Sequence, residues 1–415
     1  MRYGLIGEKL GHSFSKIIHE KLADYTYDLI PLSKEELHDF MLEKKFTALN
    51  VTIPYKEAVL PYLDEIDRHA KAIGAVNTIV NRQGRLYGYN TDFFGFRYLL
   101  EHNGIDVRGK KVLVLGKGGA AKAVLAVLAD LGAGETHTVY YKNAPDTITY
   151  EDCYRHHTDA QIILNTTPVG MYPRADDCPI DLNCFPKLEG IADVVYNPLR
   201  TQFVLEGEKR GIPAAGGLEM LVAQAKFAAE IFLDTTLPNG CIEEITRELQ
   251  RERSNLVLIG MSGCGKSTLG KLAAEHLQKP FVDTDEEIVK KIGMPIAEYF
   301  EKEGETAFRQ VETEVLHALS TENNLVISTG GGVVKNPLNI DLLKRNGRMI
   351  WLKREVSLLE SGNGRPLAPD AAAAEKLYQE RLPLYIAAAE AIAENNGTTT
   401  DGLCQILRAY EKLLQ

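Results

Sequence analysis

Short apolar runs recur along the chain, and most of them lead through a glycine-rich or polar loop into a longer amphipathic segment. The first run covers Tyr3 to Ile6 and stops at Gly7, and two later runs are Val112 to Leu115 and Leu256 to Ile259. Continuous apolar runs of this length are typical of strands that are buried on both faces. Because strands that alternate with helices form sheets covered by helices, the pattern predicts an α/β protein.

The N-terminal part of the chain shows this alternation in detail. Helices are predicted from Lys16 to Tyr25 and from Lys34 to Lys44, the second with Ser33 as its N-cap. Strands are predicted in three apolar segments that run into turn residues, at Ala48 to Ile53, Gly74 to Ile79 and Leu86 to Thr91. Within residues 1–95 the sequence therefore predicts a small α/β layer.

Polar side chains stand where these predicted strands end. Pro54 stops the first strand and leaves Lys56 just beyond it, Asn77 lies in the second segment, and Asp92 follows the third. We expect the three side chains to converge on one rim of the sheet. Each of them, taken alone, is equally compatible with a solvated, turn or capping residue.

A loop rich in hydroxyl groups follows the first strand. It contains Ser13 and Ser15 next to Gly11 and His12. Hydroxyls at a strand end suit a polyhydroxylated small molecule, but loop serines commonly cap helices. The loop by itself leaves both interpretations open.

A second glycine-rich loop joins the strand Val112 to Leu115 to a helix predicted from Ala121 to Leu131. It fits the GxGxxA dinucleotide-binding pattern, in which glycines allow a tight turn and a close approach to pyrophosphate. The residues of this pattern are Gly116, Gly118, Gly119, Ala120 and Ala121. The next predicted strand, His137 to Tyr141, leads to Lys142 and not to an acidic residue that would hold a ribose hydroxyl. A lysine there favours a 2′-phosphate, and hence NADP over NAD.

Later segments extend this nucleotide-binding unit and then end it. Strands predicted at Ile162 to Leu164 and Ala192 to Val195 end in small polar and turn residues, which point to the same crevice. A long helix is predicted up to about Leu233, and a charged amphipathic helix runs from Ile242 to about Arg251. We place a domain boundary at about residues 250 to 255.

A phosphate-binding loop follows this boundary. Directly after the strand Leu256 to Ile259, the sequence fits GxxxxGKS, with Gly260, Gly263, Gly265, Lys266 and Ser267. Glycines let backbone N–H groups close on phosphate oxygens, the lysine reaches the β and γ phosphates, and the serine hydroxyl holds magnesium. The spacing predicts a nucleotide kinase or NTPase.

Composition narrows the class of partner. The chain has 415 residues and a net charge of −10, which argues against a nucleic-acid surface or an anionic membrane as partner. Six cysteines without a CxxC pair predict neither a zinc cage nor a disulfide framework. The chain shows no leader pattern and no apolar run long enough to span a bilayer, so we expect a cytoplasmic protein with small-molecule substrates. A monomer and a homodimer are equally open.

Residues 1 to 250 carry, in this order, the motifs HSFS, NVTIPYK, GAVNTI, GYNTDFFG, GKGGAA, NTTPVGM, VVYNP and GGLEMLVAQA. This set resembles the motifs of shikimate dehydrogenase. The resemblance implies a substrate domain of residues 1–95, rejoined by 216–250, and a Rossmann NADP-binding domain of residues 96–215. It also implies that Lys56 and Asp92 are the catalytic pair for reduction of 3-dehydroshikimate by NADPH. The residues that it implies for the substrate are Ser13, Ser15, Thr52, Asn77, Asp92, Tyr196 and Gln224. The residues that it implies for the cofactor, besides the loop residues and Lys142, are Asn165, Thr166 and Gly217.

From Asn255 to Gln415 the chain carries GMSGCGKST, FVDTDEEI, FRQVE, STGGG, GRPLA and ERLPLY. This set resembles shikimate kinase and implies a P-loop kinase domain with a parallel sheet at residues 255–415. The resemblance implies that Asp285 orients the attacking hydroxyl, that Ser267 and Asp283 hold Mg²⁺, and that Arg365 lies on a lid over the phosphates. The residues implied for Mg-ATP are Gly260, Gly263, Cys264, Gly265, Lys266, Ser267, Thr268 and Arg365. The residues implied for shikimate are Asp285, Arg309, Gly330, Gly331, Gly332 and Arg381.

Together the two resemblances imply a fused enzyme for consecutive steps of the shikimate pathway of aromatic amino-acid biosynthesis. Two departures affect the expected affinities. Lys142 and Asn143 replace the commoner Asn-Arg-Thr clamp for a 2′-phosphate. The alanine-rich lid before Arg381 is short, which predicts ATP binding weaker than is usual for the family. Two alternatives stay open: a shikimate-binding regulatory protein, and a quinate/shikimate dehydrogenase joined to a small-molecule kinase of other specificity.

Overall fold

The computed structural model describes residues 2–11, 14–359 and 371–414, and it confirms the α/β class. The chain divides into two compact units, one formed by Met1–Asn197 and Thr201–Thr246, the other by Pro198–Arg200 and Arg247–Gln415. The division between Thr246 and Arg247 falls slightly before the boundary predicted at residues 250 to 255. Among the described helices, none combines the length and apolar content required to cross a membrane.

The first unit contains a six-stranded mixed sheet with the strand order β2-β1-β3-β5-β6-β4. Its strands are β1 (Tyr3–Gly7), β2 (Tyr27–Pro31), β3 (Ala48–Val51), β4 (Glu65–Ile66), β5 (Thr78–Arg82) and β6 (Arg85–Tyr89). The helices in this part of the chain are α1 (Ser15–Leu22), α2 (Lys34–Glu43) and α3 (Arg68–Ile73). Strands β1, β2 and β3 are parallel, whereas β5 runs antiparallel to both β3 and β6. The predicted cap of α2 is confirmed, because Ser33 forms a capping box with Glu36.

A second sheet of the same unit is parallel throughout, with the order β11-β10-β9-β7-β8. Its strands are β7 (Lys111–Leu115), β8 (Glu135–Val139), β9 (Ile162–Asn165), β10 (Gly190–Asp193) and β11 (Ala214–Ala215). The helices α4 (Asp92–His102), α5 (Gly119–Leu131), α6 (Tyr150–His156) and α7 (Gln202–Lys209) lie in the same part of the chain. Apolar cores cover both faces of the sheet, as expected for parallel strands.

Two helices follow this second sheet, α8 (Leu218–Leu233) and α9 (Gly240–Arg253). Residues Ala228 and Phe232 of α8 pack against Tyr3 and Leu5 of β1. The helix therefore returns to the first sheet, which supports the proposal that residues 216–250 rejoin the substrate domain.

The second unit has a parallel sheet in the order β13-β14-β12-β15-β16. Its strands are β12 (Asn255–Ile259), β13 (Phe281–Asp283), β14 (Val326–Ser328), β15 (Gly347–Lys353) and β16 (Ala391–Glu394). Its helices are α10 (Lys266–Leu277), α11 (Thr284–Ile292), α12 (Ile296–Leu319), α13 (Pro337–Lys344), α14 (Ala371–Ala388) and α15 (Thr399–Leu413), with non-helical backbone at Gly304 inside α12. The central strand β12 leads directly into the predicted phosphate loop.

The structure corrects several predicted boundaries. Strands β8 and β10 end at Val139 and Asp193, two residues earlier than predicted, because their parallel partners Leu115 and Asn165 are the last residues of β7 and β9. Gly74 does not begin a strand but ends α3 with a left-handed backbone, φ 71°. The short elements β2, α3 and α7 were not predicted.

Candidate active sites

A lysine and an aspartate meet at the rim of the first sheet. Lys56 lies beyond β3 and Asp92 is the first residue of α4, and their Nζ and Oδ2 atoms are 2.5 Å apart. Only 23% of the lysine side chain and 10% of the aspartate side chain are exposed. An ion pair this close and this sheltered can position an ammonium group for proton transfer.

Asn77 connects this pair to the helix α8. Its Nδ2 donates to Asp92 Oδ1 at 2.9 Å and reaches Gln224 Oε1 at 3.5 Å, while its Oδ1 accepts from the backbone N–H of Thr91 at 2.7 Å. The predicted convergence of Lys56, Asn77 and Asp92 is therefore present in the structure. Long-range contacts, and not local turns, hold these side chains.

A cavity of about 430 Å³ surrounds this group. Its wall contains each residue proposed for the substrate that the structure describes: Ser15, Thr52, Asn77, Asp92, Tyr196 and Gln224, together with Lys56. Ser13 lies outside the described residues. Lys9 and Asn50 also line the cavity and were not predicted as site residues, although Asn50 is the first residue of the NVTIPYK motif. The cavity has the size and the polar lining that suit a small hydroxylated acid.

A larger cavity of about 1590 Å³ lies beside it, and the two share Ala120, Val194 and Tyr196. Its wall includes five of the proposed cofactor residues: Gly116, Gly118, Gly119, Ala120 and Thr166. Gly116 has φ 108°, and a Cβ atom there would lie 2.8 Å from Thr166 Oγ1. A Cβ at Gly118 or Gly119 would meet no atom within 4 Å, so the N-terminus of α5 is open to a pyrophosphate. The loop therefore fits a dinucleotide.

The remaining residues proposed for the cofactor occupy different positions. Ala121 is buried in the core under α5, and Gly217 lines the smaller cavity, where a Cβ would lie 2.2 Å from Val194 O. Lys142 is exposed, with its Nζ 4.9 Å from the ring centroid of Tyr141, which lines the larger cavity. Asn165 is fully buried, and its side chain hydrogen-bonds to the loop that follows it.

Asp193 organises the two loops that edge the larger cavity. Its Oδ1 accepts from Asn165 Nδ2 at 2.9 Å and from the backbone N–H of Val195 at 2.9 Å, and its Oδ2 accepts from Thr201 Oγ1 at 2.7 Å. Burial raises the pKa of Asp193 to about 7, although these three hydrogen bonds oppose the shift. Sequence reasoning missed Asp193, since an aspartate at a strand end carries no motif of its own.

In the second unit, the loop between β12 and α10 has the backbone of a phosphate-binding loop. Gly260, Gly263 and Gly265 have φ angles of 145°, 82° and 100°, which residues with side chains rarely adopt. Lys266 Nζ donates to Gly260 O at 2.9 Å and to Met261 O at 2.8 Å, so the ammonium lies inside the loop. Cys264 is buried beneath it, and Thr268 is exposed on the first turn of α10.

Two aspartates stand at the end of β13, opposite this loop. Asp283 Oδ2 accepts from Ser267 Oγ at 2.6 Å, and Asp283 Oδ1 accepts from the backbone N–H of Asp285 at 3.0 Å. These oxygens are the hard ligands that Mg²⁺ prefers. Partial withdrawal from water, together with the Asp283 carboxylate, raises the pKa of Asp285, although the residue keeps an exposed edge.

Two arginines and a glycine loop complete the group around Asp285. Arg309 Nη1 donates to Glu312 Oε2 at 2.8 Å, and Arg381 Nη1 donates to Gly331 O at 2.8 Å. Side chains are excluded from this loop, because a Cβ at Gly332 would lie 2.2 Å from Arg309 Nη2 and one at Gly330 would lie 2.8 Å from Asp285 Oδ1. Glu312, 1% exposed, was not predicted, although its spacing from Arg309 on one helix face signals the pair. Arg365 and the predicted lid up to residue 370 lie outside the described residues, whereas the rest of the lid, up to Arg381, belongs to α14.

Comparisons with known proteins identify a family for a part of each unit. A family model described as "Shikimate dehydrogenase substrate binding domain" matches residues 5–79, and one described as "Shikimate kinase" matches residues 262–411. The chain is 42% identical over 255 residues to the shikimate dehydrogenase (NADP(+)) of Clostridium beijerinckii, a match that covers 57% of this chain and 93% of that protein.

Solved structures give the same assignment for the first unit. A chorismate mutase/shikimate 5-dehydrogenase fusion protein from Clostridium acetobutylicum matches with TM-score 0.57 and 36% identity, covering 60% of this chain and 96% of its own. A quinate dehydrogenase from Corynebacterium glutamicum in complex with NAD matches with TM-score 0.54 and 26% identity, covering 60% of this chain and 98% of its own. The chain therefore belongs to the shikimate dehydrogenase family and carries a shikimate kinase domain behind it, which makes it a bifunctional oxidoreductase and kinase of the shikimate pathway.

Proposed function

We propose that the chain reduces 3-dehydroshikimate to shikimate with NADPH and then phosphorylates shikimate to shikimate 3-phosphate with ATP. The observation that carries the first step is the Lys56 and Asp92 pair in the wall of a small polar cavity that adjoins the dinucleotide cavity. The name of the Clostridium beijerinckii relative specifies NADP(+), which supports NADP as the cofactor of this chain.

In the proposed reduction, Lys56 supplies the proton. Bound NADPH supplies a hydride to the carbonyl carbon, and the carbonyl oxygen gains negative charge as the hydride arrives. Lys56 Nζ donates a proton to that oxygen, while Asp92 holds the ammonium and Asn77 holds Asp92. A positioned proton donor of this kind contributes ~10²–10⁴ in rate.

In the proposed phosphorylation, Asp285 orients the shikimate hydroxyl toward the γ-phosphoryl group of ATP. Lys266 and the loop N–H groups hold the phosphates, and Arg309 and Arg381 grip the substrate carboxylate. Ser267 and Asp283, whose oxygen atoms already meet, would hold Mg²⁺ directly or through water. The proposed role of Arg365 is to neutralise negative charge on the phosphates.

The experiment is a coupled assay on the full chain with 3-dehydroshikimate, NADPH and Mg-ATP, following NADPH loss and ADP formation together. We expect Lys56→Ala to remove both signals, because the kinase then receives no shikimate, and added shikimate restores ADP formation. Asp285→Ala removes ADP formation alone. If wild-type protein consumes NADPH but forms no ADP even with added shikimate, the kinase proposal is wrong.

A second candidate, oxidation of quinate, is favoured by the likeness to a quinate dehydrogenase. Quinate carries a hydroxyl that shikimate lacks, so the same cavity must make room for it. Steady-state rates with shikimate and quinate, each with NADP and with NAD, separate the candidates. A kcat/KM for quinate with NAD above that for shikimate with NADP would overturn our assignment. Absence of turnover with every substrate, despite binding, would instead indicate a regulatory protein.

A further inference from the structure

Two histidines and a glutamate form a cluster at the beginning of β8. Glu135 and His137 are two residues apart on this strand and so point to the same face, and His157 directly follows α6. One ligand atom from each of the three residues lies within 4.8 Å of the other two. We propose that Glu135, His137 and His157 bind one divalent transition-metal ion, with Zn²⁺ as the representative.

The geometry of the three side chains suits a single ion. Glu135 Oε1 is 2.5 Å from His137 Nε2 and 4.0 Å from His157 Nδ1, and the two imidazole centroids are 4.0 Å apart. Zinc bonds of about 2.0–2.2 Å place tetrahedral ligands roughly 3.4 Å from each other. The observed separations lie on either side of this value, so small side-chain rotations bring all three atoms onto one ion and leave a fourth position for water.

His157 supplies an independent reason for a ligand. Its Nδ1 atom is buried, and no hydrogen-bond partner for it occurs in the part of the chain that the structure describes. Buried polar atoms are almost always paired, so an orphan nitrogen beside a carboxylate and a second imidazole calls for an ion. Coordination would satisfy Nδ1.

The charges around the cluster permit a cation. Lys111 Nζ lies 3.5 Å from Glu135 Oε1, but it is closer to Asp159, at 2.8 Å from Oδ1. Glu135, Asp159 and Lys111 together carry one net negative charge when both imidazoles are neutral. Two imidazole ligands favour Zn²⁺, Ni²⁺, Cu²⁺ or Co²⁺ over Mg²⁺ and Ca²⁺, which prefer oxygen.

The position of the cluster assigns the ion a structural role. Where β7 and β8 run side by side, Glu135 lies opposite Lys111 at one end. Val139, which lines the dinucleotide cavity, lies opposite Leu115 at the other end. At about 3.3 Å per residue these ends are roughly 13 Å apart, too far for the ion to contact the cofactor. The ion would instead tie β8 to α6.

The test uses the full chain without an affinity tag. Co²⁺ is titrated in excess Mg²⁺, which occupies the oxygen site near Ser267, and its visible absorption reports coordination by nitrogen. Zn²⁺ affinity follows from competition with a chromophoric chelator, and thermal unfolding is compared with and without Zn²⁺. We expect one ion per chain and a higher unfolding midpoint in Zn²⁺.

Substitutions at the cluster decide the outcome. We expect His137→Gln and His157→Gln each to weaken Co²⁺ and Zn²⁺ binding at least tenfold and to abolish the Zn²⁺ effect on unfolding, while NADPH turnover shows that the variants are folded. His156→Gln is the matched control, since His156 is the exposed neighbour of His157, and it should bind as wild type does. If wild-type protein binds no ion, or if both cluster variants bind the ion as tightly as wild-type protein does, the proposal is wrong.

Discussion

Lys56 Nζ lies 2.5 Å from Asp92 Oδ2, although the two residues are 36 positions apart in the chain. The carboxylate also accepts from Asn77 Nδ2 at 2.9 Å, so both of its oxygens are engaged. The pair is therefore held in place from two directions before any substrate arrives.

The first prediction concerns this pair. Replacing Lys56 with alanine should lower kcat for dehydroshikimate reduction by ~10²–10⁴, because the ammonium group that Asp92 holds in the cavity wall is then missing as a proton donor. Stopped-flow or steady-state NADPH oxidation measures the loss. Lys122→Ala, which removes a partly exposed lysine of α5 paired with Glu57, is the control and should leave the rate unchanged. A fall in kinase activity with added shikimate would point to misfolding instead.

The second prediction concerns the pH dependence of phosphorylation. Partial burial and the nearby Asp283 raise the pKa of Asp285, so its carboxylate becomes protonated at a higher pH than usual as the solution is acidified. We expect kinase kcat to fall with decreasing pH through that raised pKa. Asp285→Asn should lose ~10²–10⁴ in kcat at every pH. Glu286→Gln, at the exposed neighbouring position, should keep the wild-type profile.

The third prediction concerns acid stability of the first unit. His19 is fully buried, its Nδ1 is 2.6 Å from Tyr25 Oη, and its ring stacks on Tyr27 at 4.1 Å. Burial lowers the pKa of His19 to about 3, although the neighbouring Asn50 side chain acts in the opposite direction. Below about pH 6.5, His19 therefore binds a proton in the unfolded chain but not in the folded chain. Its contribution to the free energy of unfolding should fall as the pH drops from 6.5 toward 3, by up to about 1.4 kcal/mol per pH unit.

Calorimetry of wild-type protein and His19→Phe between pH 7 and 5 measures the His19 contribution as the difference between the two slopes, since Asp193 contributes a slope of opposite sign in both proteins. The variant should lose the His19 contribution, whereas His38→Phe, an exposed histidine of the same unit, should retain it. Trp351 is the chain's single tryptophan and belongs to the second unit, so its fluorescence follows that unit separately. Equal slopes in wild type and His19→Phe would contradict the assignment.

The fourth prediction concerns Asp193. Burial raises its pKa to about 7, so between about pH 4 and pH 7 the folded state holds a proton that the unfolded state has lost. Stability of the first unit should therefore decrease over this range as the pH rises, opposite in sign to the His19 effect. Asp193→Asn mimics the protonated side chain and should abolish the decrease.

Cofactor affinity gives a second measurement at the same position. Asn can still accept from Asn165 and Val195, so Asp193→Asn should change KM for NADPH only slightly. Asp193→Leu leaves Asn165 Nδ2 and Thr201 Oγ1 without this partner and should raise KM by about tenfold, since losing a buried hydrogen bond costs ~1–3 kcal/mol. Similar KM values for the two variants would show that Asp193 does not position the loops.

Motifs and apolar periodicity predicted much of the fold and of both sites. The two glycine loops were predicted because their backbone conformations require particular residues at particular spacings, as the φ angles at Gly116, Gly260 and Gly265 show. Likewise Ser33 caps α2 as expected, because capping is a local interaction. Asp193, Glu312 and Asn50 were missed, since their importance comes from partners that are distant in the chain or from a cavity wall.

The sequence by itself determined the α/β class, the order of the two enzymatic units and the residues of the two glycine loops that we propose to bind phosphate. These depend on local spacing, on backbone conformations that glycine permits, and on the apolar runs that form buried strands. The tertiary structure alone decided which polar side chains meet. It joined Lys56 to Asp92 and Ser267 to Asp283, and it left Asn165 and Ala121 buried behind the cofactor loop. The physical reason is that hydrogen bonding and burial depend on distances that strand order and helix packing set.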